Sequence, residues 1–259
     1  MKIAISGKGG VGKTFIAGSL ASYLVRHGHF VLAIDTDPSP NLAMTLGLSP
    51  DEISRIVPIA ENEQLIRLKT GTEFSGVFRL TFSVDDIIEK YSVPTPAGPA
   101  LMVMGTVRAM GSGCTCPANS LVKALLRHLV VNRNEVVILD MEAGVEHLGR
   151  GTAEHVDILL VISDANLKSL EIAGTICRLA KNSAIKKVSI VGNRIVDLRQ
   201  ETAVRAFAEK NGIEVLALIP FDMEVAEAGI TGDSIVNENS AALQAIGVLA
   251  ETITSMNHG

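Results

Sequence analysis

Eight consecutive residues, Gly7-Lys8-Gly9-Gly10-Val11-Gly12-Lys13-Thr14, constrain this chain more than any others. They follow Lys2–Ser6, an apolar run that reads as a strand, and they open Lys13–His27, whose apolar residues recur at helical spacing. The pattern is G-x-x-x-x-G-K-[ST], set between a strand and a helix, which is the context that gives it meaning. Glycines let successive backbone N–H groups curl round an anion, and the helix starting near Lys13 adds its positive end. Such a loop holds phosphates: Lys13 is placed to reach the β- and γ-phosphates, and the Thr14 hydroxyl to ligate Mg²⁺. A glycine-rich turn matching by chance leaves the flanking strand and helix unexplained.

The rest of the chain repeats that opening. Further strands are expected at Phe30–Asp35, Leu101–Gly105, Val136–Asp140, Ile158–Ser163, Val188–Asn193 and Val215–Pro220. Helices are expected at Ser120–Val131, Leu167–Lys181 and Thr202–Asn211, with a closing helix over Ser240–Met256. Strands joined by helix-length connections predict a doubly wound α/β fold, a mostly parallel sheet of about seven to eight strands with helices on both faces. Hydrophobic residues are 47% of the 259, aromatics only 3%, with no Trp, as suits a core of Val, Ile, Leu and Ala. One domain over 1–259 is expected, with an irregular insertion around 49–99 marked by Pro58, Pro94, Pro96 and Pro99.

The formal charge of -5 argues against a general binder of nucleic acid or anionic membrane. No apolar run approaches the ~20 residues that cross a bilayer, and no secretory leader is read at the start. Three cysteines, Cys114, Cys116 and Cys177, are too few for a disulfide framework. A cytoplasmic location is the expectation.

Two acidic strand ends join the loop. Asp35 and Asp37 lie at the carboxyl end of the second strand, the edge where open α/β sheets place ligands; one of them could instead cap the helix that follows. Val136-Val-Ile-Leu-Asp140 is an apolar strand ending in an acid, with Asp140 set to bind Mg²⁺ directly or through water. Cys114-Thr-Cys116 lies in a glycine-flanked loop before a helix, where two thiolates can face one soft metal ion. Two ligands half-fill a four-coordinate site, and a symmetric dimer meeting there would supply the others. Coordination chemistry admits Zn²⁺ as readily as Ni²⁺. Cys177, alone in a helical apolar pattern, reads as core.

Lys8 carries a resemblance. Lys8-Gly-Gly-x-Gly-Lys-Thr resembles the deviant Walker A loop of the superfamily that holds MinD, ParA, the arsenite pump and the nitrogenase iron protein. The resemblance implies an ATPase that dimerises with nucleotide, with Lys8 reaching the partner's nucleotide and neutralising transition-state charge as an arginine finger does. It implies Asp37 orienting the attacking water, Asp35 in the metal shell, and the Gly144 N–H sensing the γ-phosphate from Asp140-Met-Glu-Ala-Gly144. Phe15 and the phosphate loop would line the nucleotide. Asn193 and Arg194 would meet the adenine, with Pro220, Phe221 and Asp222 flanking it.

The Cys-X-Cys element, Asn119-Ser120 and Glu146-His147-Leu-Gly-Arg-Gly-Thr152 resemble more closely the CooC-type nickel-insertion accessory ATPases, which mature carbon monoxide dehydrogenase and acetyl-CoA synthase. That likeness implies an ATP-driven homodimer holding nickel between two Cys-X-Cys pairs, with a nickel enzyme as client; His147 reads as structural. Phe15, where relatives often carry a second Thr, and Glu142 depart from the pattern. Alternatives are an electron carrier of the nitrogenase iron protein type and an ATP switch without transferred metal. Adjacent thiols fit one ion better than a cluster, and the lysine- and arginine-free segment Ser240–Gly259 does not suit a membrane-targeting helix.

Overall fold

The computed structural model describes residues 1–37, 41–71, 85–105, 121–122, 124–125, 135–141, 156–181, 183, 185–231 and 240–256. The described strands form one eight-stranded sheet: β1 Lys2–Gly7, β2 Phe30–Asp35, β3 Val93–Pro94, β4 Ala100–Val103, β5 Glu135–Asp140, β6 Ile158–Ser163, β7 Lys187–Ile195 and β8 Glu214–Pro220. Their order is β3-β4-β2-β5-β1-β6-β7-β8, parallel except for β3 against β4. The predicted fold is the observed one.

Side chains alternate across the sheet because successive Cβ atoms point to opposite faces. Ile3, Ile5, Val136, Ile138, Leu160 and Ile162 join one apolar core, while Ala4, Val137, Leu139, Leu159 and Val161 join the other. Helix α1, Lys13–Arg26, buries Ile16, Ala17, Leu20 and Leu24 in the first core. On the other face lie Ala173, Ile176 and Cys177, which belong to the long helix Leu167–Lys181. Cys177 is fully buried, and burial pushes its thiol up to about 12, an inert core residue as expected.

The stretch over 49–99 is richer than its prolines suggest. It holds short helices at Pro50–Ile53, Glu63–Thr70 and Asp85–Tyr91, and ends on edge strand β3. Ser49 accepts from the Glu52 N–H while the Glu52 carboxylate accepts from the Ser49 N–H, a capping box. Helices of four to eight residues carry too few turns to show a periodicity, which is why sequence alone reads them as irregular. The helix expected at Thr202–Asn211 starts earlier, at Leu198, because the Asp197 carboxylate accepts from the Gln200 N–H and caps it. The helix expected over 120–131 is described at four residues only, all helical, with Leu121 and Leu125 buried.

β1 is the pivot. From it the chain moves through α1 to β2 on one side, while β6, β7 and β8 extend on the other. Sheets of this topology bind ligands beside such a pivot, at the carboxyl ends of the strands, here β1, β5 and β6.

Candidate functional site

The phosphate loop leaves β1 at its carboxyl end. Gly10 and Gly12 have φ of 79° and 92°, a left-handed backbone that an L side chain resists. At Gly12 the constraint is double, since a Cβ there would collide with the Asn193 Nδ2. Gly12 is the N-cap of α1 and no side chain caps it, nor does the first turn carry an acidic residue. The start of this 14-residue helix, with its positive dipole end, therefore faces the loop without a capping side chain from Gly12. Lys13 is buried, its ammonium donating across the loop to the Lys8 carbonyl at 3.3 Å.

Asp35 and Asp140 are register partners on adjacent strands, and both are essentially buried. Burial pushes the Asp140 carboxyl up to about 6, although a hydrogen bond with the Thr14 side chain and the Lys13 charge pull it back. Among the described residues its Oδ1 is buried with no hydrogen-bond partner. The Asp140 main-chain carbonyl accepts from both the N–H (3.0 Å) and the hydroxyl (2.9 Å) of Thr36, tying the segment after β2 to the end of β5. Burial likewise pushes Asp35 up to about 7. Its two oxygens accept from the N–H groups of Asp37 and Leu42, each at 3.0 Å, and so cap the short helix Leu42–Thr45. Of the two roles open to Asp35, the hydrogen bonds seen are those of the cap, and Asp140 carries the free oxygen.

Magnesium fits that oxygen. An orphaned, buried carboxylate oxygen next to a threonine hydroxyl is a hard donor set, and a cation there would relieve the desolvation that raises Asp140.

On the other side of β1, Asn193 is buried at the end of β7 and its amide donates to the Val11 carbonyl at 2.8 Å. Arg194, exposed, donates from Nη1 to the Gly10 carbonyl at 3.0 Å. Both residues expected at the base thus reach the phosphate loop, a contact across the sheet that spacing alone does not reveal. Pro220 ends β8, and the Phe221 N–H donates to the Ile195 carbonyl, so these loops run side by side, with Phe221 exposed. Asp222 is engaged otherwise. Its carboxylate accepts from the Glu224 N–H, the Ser240 hydroxyl and the Ala242 N–H, capping the helices Met223–Thr231 and Ala241–Met256. The structure brings Lys8, Lys13, Thr14, Asp35, Asp37, Asp140, Asn193 and Arg194 to one edge; Gly144, Cys114 and Cys116 lie outside the described residues.

This edge carries the phosphate loop, and residues 2–235 match the CobQ/CobB/MinD/ParA nucleotide binding domain. The chain belongs to that family. It is a P-loop ATPase. The carbon monoxide dehydrogenase accessory protein CooC of Rhodospirillum rubrum is 42% identical over 234 residues, 90% of this chain and 88% of that one. An uncharacterised ATP-binding protein of Methanocaldococcus jannaschii is 40% identical over 245 residues, 93% of each chain. In fold the chain is similar to the septum site-determining protein MinD of Pyrococcus horikoshii, solved in complex with Mg-ADP, with a TM-score of 0.70 at 19% identity, covering 99% of this chain and 96% of that one. No helix among the described residues is long and apolar enough to cross a membrane.

Proposed function

We propose that this chain is a nucleotide-dependent dimeric ATPase that binds nickel through Cys114 and Cys116 and supports its insertion into carbon monoxide dehydrogenase or a related nickel enzyme. The observation that carries this reading is the 42% identity, over 90% of the chain, with an accessory protein of that enzyme. The Cys114-Thr115-Cys116 pair of this chain agrees with it.

The ATP half rests on the site. The phosphate loop and the open end of α1 bind the phosphates through backbone N–H groups, and Lys13 neutralises charge on the β- and γ-phosphates. Thr14 and the free Oδ1 of Asp140 would hold magnesium, which when bound supplies a positive charge against the transferring phosphoryl group. Asp37, beside Asp35 at the end of β2, orients the attacking water. Asp35 holds the backbone of that segment in place through Leu42. Lys8, half-buried at the mouth of the loop, is the group that a second copy would present to this nucleotide.

Nickel in this scheme is cargo. Two thiolates from each of two subunits complete a four-coordinate site, so metal binding and dimerisation are linked, and hydrolysis releases both. The test is anaerobic nickel titration of the reduced protein, with and without ATP–Mg²⁺, alongside a Cys114→Ser/Cys116→Ser variant. About one nickel per two subunits is expected, with thiolate-to-metal absorption that nucleotide alters and the variant lacks. Iron and sulfide with a cluster spectrum would replace this reading with an electron carrier, and no specific metal would leave the ATP switch alone.

A further inference from the structure

We propose that Arg194 is a positioning residue for the phosphate loop, holding it from the β7 side in the shape that receives phosphate whether or not a base is present. The inference rests on the reading of this edge as a nucleotide site.

A loop whose N–H groups converge on an anion must turn its carbonyls away from it, and those carbonyls need donors of their own. Here two consecutive carbonyls, of Gly10 and Val11, are taken by two consecutive side chains, Arg194 and Asn193. The pairing of β7 with β8 shows how both residues come to point there. Gly192 pairs with Leu218 and Ile195 with Pro220, so β7 carries one more residue than β8 between those pairs. A bulge of this kind takes residues out of the ladder and re-aims their side chains.

The backbone bears the mark of that re-aiming. Arg194 has φ 59°, and among the described residues it is the only non-glycine with positive φ. An arginine is disfavoured in that region, and such a conformation persists where surrounding contacts over-determine it. The contacts that hold it are the Nη1 hydrogen bond to Gly10 and the anchoring of its neighbour to Val11. Asn193 is buried against Gly12 and fixes the root of the contact; Arg194, exposed, reaches over the tip. A loop held this way is pre-organised, and the ordering cost of binding phosphate falls accordingly.

The experiment compares binding of ATP–Mg²⁺ and of tripolyphosphate, which has no base, to the wild-type chain and to Arg194→Ala, Arg194→Gly and Arg194→Lys. Loss of one charge-assisted hydrogen bond predicts about 10-fold weaker binding of both ligands to Arg194→Ala, with KM for ATP raised and kcat little changed. Glycine adopts φ 59° freely, so Arg194→Gly should melt no lower than wild type and still lose the same factor. Lysine keeps a donor without the fork, and should recover part of the loss. Weakening for ATP alone would overturn the proposal in favour of a contact to the base. Unchanged affinity for both ligands would overturn it as an incidental bond, and a loss seen only with a lower melting temperature would make Arg194 a scaffold residue. Should the wild-type chain bind neither ligand, the nucleotide-site reading itself fails.

Discussion

The two edges of the sheet treat their charges in opposite ways. At the amino edge the Met1 ammonium donates to the Glu135 carbonyl at 2.9 Å, the Lys2 N–H to the Asp157 carboxylate at 2.8 Å, and the Lys186 ammonium to the same carboxylate at 2.6 Å. Burial raises the Asp157 carboxyl, but Lys186 and the Lys2 N–H outweigh it and hold the group below its usual range. At the carboxyl edge, burial wins. Asp35 and Asp140 are raised to about 7 and about 6, and one oxygen of Asp140 has no partner. One edge pairs these charges within the chain and fastens the fold. The other leaves, among the described residues, one buried oxygen of Asp140 without a partner, as sites of binding and chemistry do.

Replacing Asp140 probes that contrast most sharply. Asp140→Asn should lower ATP hydrolysis by about 100-fold or more, measured as phosphate release, since it removes the carboxylate set to hold the metal. The same variant should be more stable than wild type without magnesium at neutral pH, because a buried charge whose desolvation outweighs the help of Thr14 and Lys13 is gone. A less stable Asp140→Asn would break the comparison, showing that the carboxyl edge is as self-satisfied as the other.

Gly12→Ala comes next. A Cβ at φ 92° that also meets Asn193 should destabilise the chain by about 1–3 kcal/mol in denaturant titration. It should weaken nucleotide binding as well.

The pH dependence separates the edges by sign. Asp35 and Asp140 have folded values above the ordinary 3.8, so the folded state binds more protons than the unfolded. The stability they contribute is complete below about pH 4 and is lost as pH rises through about 6 to 7. Asp157 is held low, so its contribution is present at neutral pH and is lost as pH falls through its depressed range. Melting curves without magnesium should therefore show Asp140→Asn gaining on wild type as pH rises from 4 to 7. Asp157→Asn should lose about 1 kcal/mol at neutral pH and converge on wild type in acid. Parallel curves for the two variants would remove the distinction.

The smallest effect is a control away from both edges. Arg205 and Glu201 pair at 2.8 Å one turn apart on an exposed helix face, and Glu201→Gln should cost no more than about 0.5 kcal/mol by thermal unfolding.

What the sequence by itself determined is whatever local pattern encodes. β2, β6 and the helix Leu167–Lys181 have the predicted bounds because runs such as Ile158–Ser163 are apolar on both faces, and because the glycine loop can only join a strand to a helix. The turn of the glycine loop from strand to helix was legible for the same reason, since Gly7 to Thr14 make their own geometry. Tertiary structure alone decided which oxygen is free. Asp35 and Asp140 both read as acids ending apolar strands, yet the fold delivers the N–H groups of Asp37 and Leu42 to one and, among the described residues, leaves Oδ1 of the other without a partner. It likewise sent Arg194 to a carbonyl 184 residues away and gave Asp222 to two helix ends. Hydrogen-bond partners of this kind are set by strand order and register, which bring distant residues to one edge, and no spacing along the chain records them.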